Sequence, residues 1–129
     1  MTKFQYEPEK EFQKKFKKLA KKFRTLEEDL EVAKKNAIEL YHDKNVDNDS
    51  VELITKINNE SIMICKLKKF ACKSLKGKGV KSGIRIIYAF KADCLTVHLI
   101  EIYFKPNQAN EDKDLIKKFI RVKGPLDLR

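Results

Sequence analysis

The fold is decided by residues 84–104, which read IRIIYAFKADCLTVHLIEIYF. The first seven residues alternate between the two faces of a β-strand, and the bulkiest apolar side chains share one face: Ile84, Ile86, Tyr88 and Phe90. Residues 91–93 are short enough to be a hairpin link, so residues 95–104 are predicted to form the partner strand. An antiparallel sheet is therefore expected at the centre of the fold.

Further strands are predicted upstream of this hairpin. Residues 62–68 alternate so that Lys66 and Lys68 fall on the face opposite Cys65 and Leu67. We expect these two lysines to stand side by side on an exposed sheet face. Phe4–Tyr6 is a candidate for a short first strand, whereas residues 51–59 have no pattern that assigns them.

Helices are predicted on both sides of the strand region. After Pro8, which suits a first helical turn, apolar residues recur at helical spacing: Phe12, Phe16, Leu19, Ala20 and Phe23. Thr25 and Glu28 have the spacing of a capping box that opens a second helix, close enough to the first to form a helix hairpin. A last helix is expected from Glu111-Asp112, with its buried side formed by Leu115, Ile116, Phe119 and Ile120.

These elements predict the α+β class. We expect one domain over residues 1–129, with an N-terminal antiparallel helix hairpin packed on a small twisted antiparallel sheet of three or four strands, followed by a C-terminal helix. No apolar run approaches the about 20 residues that cross a bilayer, and residues 1–10 lack an apolar signal segment. We therefore expect a cytoplasmic protein without a membrane partner.

The positive charge is concentrated in one part of the chain. The net charge is +10, from 29 basic and 19 acidic residues. Residues 61–92 contain no Asp or Glu and carry nine basic residues, so they supply nine of the ten excess charges. Such a block is typical of a surface that binds a polyanion, and nucleic acid is the first partner to consider.

Other kinds of site are poorly supported. His42 and His98 have no cysteine or carboxylate at metal-ligand spacing, so no metal ion is predicted. Cys94 and His98 would lie about 13 Å apart along one strand, too far for proton transfer. The three cysteines, Cys65, Cys72 and Cys94, are interpreted as reduced apolar fillers. The glycine-rich stretch 77–83 leads into a strand and not a helix, which excludes a P-loop, and no cofactor is predicted.

Arg85 stands out within the basic block because it is one of four arginines in a lysine-rich chain and interrupts an apolar strand. One interpretation is a salt bridge across the sheet to Glu101. The other is a planar donor for a phosphate group, which an arginine binds better than a lysine. Metal-free RNA cleavage needs such a cation, with other side chains to move the protons.

The segment Ser82-Gly83-Ile84-Arg85-Ile86-Ile87-Tyr88, preceded by Lys66-Leu67-Lys68 and followed by the strand 97–105, resembles the RelE/ParE superfamily of toxin–antitoxin toxins. In RelE-like members, a helix hairpin packs on a small sheet and the toxin cleaves mRNA in the ribosomal A site. The resemblance implies that Arg85 stabilises the transition state. It also implies that Lys66 and Lys68 are the paired basic residues, and that Lys105 is the basic residue that ends the following strand. The most active RelE-like enzymes carry a late Tyr or His as a base or an acid. Residues 106–112 contain neither, so Tyr103 is the nearest candidate for that role.

The resemblance therefore implies a metal-free, ribosome-dependent mRNA endonuclease, with the ribosome, mRNA and an acidic antitoxin protein as its partners. The lysines expected to bind RNA phosphates are Lys69, Lys73, Lys76, Lys78 and Lys81. ParE-like relatives poison DNA gyrase without cutting RNA. A non-catalytic inhibitor or nucleic-acid-binding protein on the same fold is therefore the alternative.

Overall fold

The computed structural model describes residues 4–57 and 60–123. Its elements follow in the order β1 (Gln5–Pro8), α1 (Lys10–Lys22), α2 (Leu26–Ala33), a π-helix (Lys34–Glu39), α3 (Leu40–Asp43), β2 (Val51–Ile57), β3 (Ile62–Leu67), β4 (Ile84–Lys91), β5 (Thr96–Phe104) and α4 (Lys113–Lys123). The predicted α+β class is confirmed. None of the helices in these two ranges is long and apolar enough to cross a membrane.

The sheet has five strands in the order β1-β5-β4-β3-β2. Strand β1 runs parallel to β5, and the other neighbours are antiparallel. The expectation of three or four antiparallel strands was therefore wrong. It missed β2, because the pairing register of β2 with β3 shifts between Leu53 and Thr55 and so breaks the alternation that identifies a strand.

Helices cover both faces of this sheet. The larger side chains of β4, including Ile86 and Tyr88, pack with the core residues of α1 and α2. On the opposite face Ile87 and Ala89 pack with Ile116 and Phe119 of α4, the side of this helix that its periodicity predicts. The expectation that Lys66 and Lys68 share an exposed face was wrong, because α4 covers that face and β3 ends at Leu67.

The predicted capping box does not form. Thr25 precedes α2, but its side chain makes no hydrogen bond to the backbone of the helix. Its Oγ1 donates to Asp29 Oδ2 at 2.7 Å and accepts from the Ser74 amide at 2.9 Å, while the Lys73 amide donates to Asp29 at 3.1 Å. Thr25 and Asp29 therefore anchor residues 68–83 to the start of α2.

His42, near the end of α3, fastens this helix to the sheet. Its Nε2 lies 2.8 Å from Tyr88 Oη, and its ring stacks on Phe90 with centroids 4.2 Å apart. Burial lowers the pKa of His42 from 6.5 to about 4, so the imidazole is neutral in the folded protein at neutral pH.

We predict that His42 makes the protein less stable in mild acid. Between pH 6.5 and pH 4 the unfolded chain protonates His42 and the folded chain does not, so the free energy of unfolding falls as the pH falls through this window. In His42→Gln this contribution is absent. The free energy of unfolding of wild type, minus that of the variant, should therefore decrease by about 2 kcal/mol from pH 7 to pH 4.5. This value allows for the partial solvent exposure of His42. Urea denaturation at the two pH values measures it, and an unchanged difference would contradict the prediction.

Candidate nucleic-acid interface

An open groove of about 720 Å³ lies where β3 ends and β4 begins. One carboxylate, that of Asp49, borders it. The cationic side chains that line it are Lys68, Lys69, Lys78, Lys81, Arg85 and Lys105. We call this cavity the basic groove. Six cations facing one carboxylate give it a strongly positive potential.

One wall of the basic groove is the loop of residues 68–83. The loop is pinned from below by Phe70 and Cys72, which are both buried in the core. Ser82 closes it, since its hydroxyl donates to the Phe70 carbonyl and accepts from the Ile84 amide. At the tip, Gly77 and Gly79 have positive φ angles of 80° and 55°, which glycine adopts readily. The loop lysines thus extend from an anchored backbone.

The opposite wall begins at the end of β5. The Lys105 amide donates to the Gly83 carbonyl at 2.8 Å, which holds Lys105 next to the start of β4. Gly83 has a φ of +88°, and a Cβ there would lie 3.4 Å from Pro106 Cδ. The positive φ favours glycine at this position, while an added Cβ would meet Pro106 only at an ordinary contact distance. The hydrogen bond between Lys105 and Gly83 brings Lys105 to the same cavity as Arg85, two residues further along β4.

Arg85 does not form the salt bridge that was one of its two interpretations. Its register partner on β5 is Tyr103, whereas Glu101 lies opposite Ile87. Within residues 4–57 and 60–123 the Arg85 guanidinium has no ion-pair partner, and its hydrogen bond is from Nη1 to the neighbouring Ile84 carbonyl at 3.4 Å. Most of its donors are therefore available to a ligand in the basic groove.

Glu101 is bound by other groups. It is fully buried, and its Oε2 accepts from Lys15 Nζ at 2.9 Å and from Gln108 Nε2 at 2.7 Å. Its Oε1 accepts from the Asp112 amide at 2.9 Å. We call these residues the Glu101 network. The network ties α1 to the segment between β5 and α4.

The basic groove is only partly neutralised. Asp49 lies 3.7 Å from Lys68 Nζ and 3.2 Å from Lys69 Nζ, and the hydrogen bond from Lys69 and the charges of both lysines lower the pKa of Asp49. Lys78, Lys81 and Lys105 have no carboxylate partner in the described part of the chain. With Arg85, they form a set of four cations that face one cavity unpaired.

Two residues of the predicted catalytic set lie outside the basic groove. Lys66 Nζ is 2.8 Å from Glu111 Oε1, and both side chains are largely buried. Burial opposes the charge of Lys66, but the hydrogen bond and charge of Glu111 outweigh it and raise the pKa of Lys66. Tyr103 is buried against α4, and that burial raises the pKa of its hydroxyl. Neither group is poised to take up a proton at neutral pH.

Only some of the lysines predicted to bind phosphates line the basic groove. Lys69, Lys78 and Lys81 line the basic groove, whereas Lys73 and Lys76 do not. Lys73 instead lies 3.6 Å from Glu28. Asp49 could not be predicted as part of this site, because it belongs to a polar turn outside the block 61–92 and no local pattern marks it.

The cysteines do not contribute to this site. Cys65 and Cys72 are buried as predicted, but Cys94 is exposed and is not a core filler. All three are free thiols. No group of three or more His, Cys, Asp or Glu side chains suited to a metal ion occurs in the described ranges.

Comparison of the chain with protein-family models, with curated proteins and with solved structures finds no match in any of the three. The functional proposal therefore rests on the chain's own residues.

We predict that Arg85 and Glu101 differ sharply in their effect on stability. Arg85→Ala should change the free energy of unfolding by less than about 1 kcal/mol, because no ion pair is lost. Glu101→Ala should lower it by about 2 to 3 kcal/mol, because Gln108 and the Asp112 amide lose their acceptor while half-exposed Lys15 regains water. Urea denaturation of the two variants checks this. Equal losses would show that Arg85 is a structural residue.

Proposed function

We propose that the basic groove binds the phosphate backbone of RNA, and that the protein is a RelE-like toxin that acts on mRNA at the ribosome. The observation that supports this proposal is the set of four unpaired cations, Lys78, Lys81, Arg85 and Lys105, around one open cavity. Unpaired cations that converge on a cavity repel one another, and a bound polyanion relieves that repulsion.

The arginine gives the groove a specific contact. A guanidinium donates two parallel hydrogen bonds to one phosphate, whereas a lysine acts as a point charge. Arg85 therefore fixes the position of one phosphate, and the lysines on the 68–83 loop attract the rest of the strand. An acidic antitoxin that covers the basic groove would compete with RNA for the same side chains.

Cleavage in such a site proceeds without a metal ion. The 2′-OH of the RNA loses its proton to a base and attacks the adjacent phosphorus, a 2′,3′-cyclic phosphate forms, and the leaving 5′ oxygen takes up a proton from an acid. Arg85 stabilises the negative charge that builds up on the phosphate oxygens. Lys68 and Lys105 share the groove with Arg85 and are our candidates for the acid that donates a proton to the leaving 5′ oxygen. Lys66 and Tyr103 do not line the groove and have no part in this step.

A non-catalytic nucleic-acid-binding protein is the second candidate. It is favoured by the burial of Tyr103, which raises the pKa of its hydroxyl, and by the pairing of Lys66 with Glu111, because neither residue is then suited to take up a proton. The two candidates share the binding surface and differ in whether RNA is cut.

We predict that Asp49→Asn strengthens RNA binding. The change removes the one carboxylate of the basic groove and frees Lys68 and Lys69, and an asparagine tolerates the positive φ of 65° at this position. Affinity for a single-stranded 12-nucleotide RNA should rise about threefold or more at low salt, measured by fluorescence anisotropy. Asp114→Asn, an equal charge change at an exposed position of α4, is the matched control. Equal gains in the two variants would contradict a site in the groove.

We further predict that Arg85→Ala separates binding from cleavage. Induction of the wild-type chain in a bacterial host should arrest growth and produce new mRNA 5′ ends within translated messages. Arg85→Ala should abolish those ends, while ribosome binding weakens by less than about tenfold, as expected for one lost phosphate contact. Arrest without cuts would support the non-catalytic candidate, and normal growth of the wild-type strain would contradict the toxin proposal.

A further inference from the structure

A second, smaller cavity adjoins the basic groove. Its volume is about 260 Å³, and it lies between α1, β5 and the turn that follows β5. The polar and aromatic side chains that line it are Lys15, Lys18, Tyr103, Phe104, Asn107 and Gln108. We call it the α1 crevice. Phe104 lines both cavities, so the two are direct neighbours.

Two polar side chains of the α1 crevice are available to a ligand. Lys15 and Gln108 are committed to the Glu101 network. Lys18 and the side-chain amide of Asn107 form no ion pair or hydrogen bond with any residue that the structure describes. The Asn107 backbone amide donates to the Phe104 carbonyl at 2.8 Å, which fixes the turn that presents this side chain.

The positive charge of the groove continues across Phe104 onto α1. Lys22 Nζ lies 5.2 Å from the centroid of the Phe104 ring, and so places a cation above the wall that the cavities share. Lys18, one helical turn before Lys22, is exposed on the same side of α1 and lines the α1 crevice. These lysines of α1 lie outside the basic block of residues 61–92. From helical periodicity alone they would be assigned to the solvent-exposed face of an amphipathic helix.

We propose that the α1 crevice is a second nucleotide subsite, in which Lys18 binds a phosphate and the Asn107 amide hydrogen-bonds the base of the nucleotide next to those held in the basic groove. The inference rests on the proposed binding of RNA by that groove. A carboxamide has both a donor and an acceptor, which matches the edge of an unpaired base. Complete ligand pockets measure about 300 to 1,000 Å³, so a cavity of 260 Å³ suits one nucleotide of a longer strand.

Binding of short and long RNA by the full chain tests this subsite. Lys18→Ala should weaken binding of a 12-nucleotide RNA about three- to tenfold and flatten its salt dependence by about 0.7 in slope, the value of one phosphate contact on a single strand. Binding of a dinucleotide should not change, whereas Arg85→Ala should weaken both ligands. Lys35→Ala, an exposed lysine of the π-helix, is the matched control.

Asn107→Ala provides an independent measurement. It should leave the salt slope unchanged, because no charge is lost, and alter the relative affinities for oligo(A), oligo(C) and oligo(U) by about threefold or more. Thermal unfolding of both variants should match wild type, because both side chains are exposed and form no hydrogen bond or ion pair with the described residues.

The outcomes separate this inference from the proposed function. If Lys18→Ala behaves like Lys35→Ala while Arg85→Ala still weakens binding, the subsite is refuted and RNA binding by the basic groove stands. Unchanged base preference in Asn107→Ala would refute the base contact. If the wild-type chain binds none of these RNAs, the proposed function fails and the subsite fails with it.

Discussion

The buried carboxylate of Glu101 is the group on which the shape of the binding surface depends. A buried carboxylate costs several kcal/mol unless it is paired and hydrogen-bonded. Its donors come from three separate parts of the chain: Lys15 on α1, Gln108 in the turn after β5, and the Asp112 amide just before α4. The hydrogen bonds to Glu101 therefore hold α1 and the segment before α4 against the end of β5.

Both cavities depend on this fastening. The turn that the Glu101 network holds carries Lys105 on its side toward the basic groove and Asn107 on its side toward the α1 crevice. The network also explains why Arg85 is unpaired. Lys15 neutralises the charge of Glu101. Glu101, the carboxylate on the neighbouring strand β5, is therefore not available to Arg85. Arg85 thus has no ion-pair partner among the described residues, and its guanidinium faces the basic groove, which is the basis of the proposed contact with a phosphate.

Structural features that depend on residues close together in the sequence could be predicted from it. The β4–β5 hairpin and the buried side of α4 follow from alternation and helical spacing, and both are confirmed. Alternation assigns Lys66 to a face but does not reveal that α4 covers it or that Glu111 neutralises it. Strand β2 has a bulge, which hides its period. Asp49 and Asn107 reach the cavities through turns, whose geometry the sequence leaves open. Membership of the RelE/ParE superfamily stays a prediction.

The pairing of charges around the basic groove is selective. Within the basic block, Lys66 pairs with Glu111, Lys73 with Glu28, and Lys69 with Asp49. The chain therefore contains carboxylates that reach the basic block. Two of these pairs lie outside the basic groove, and the pair of Lys69 with Asp49 lies at its edge. Four cations without a carboxylate partner among the described residues, Lys78, Lys81, Arg85 and Lys105, converge on one cavity, where their mutual repulsion opposes folding of the isolated chain. A ligand that binds only the folded state stabilises it. An anionic strand in the groove would thus stabilise the fold at the site where the chain's own charges destabilise it.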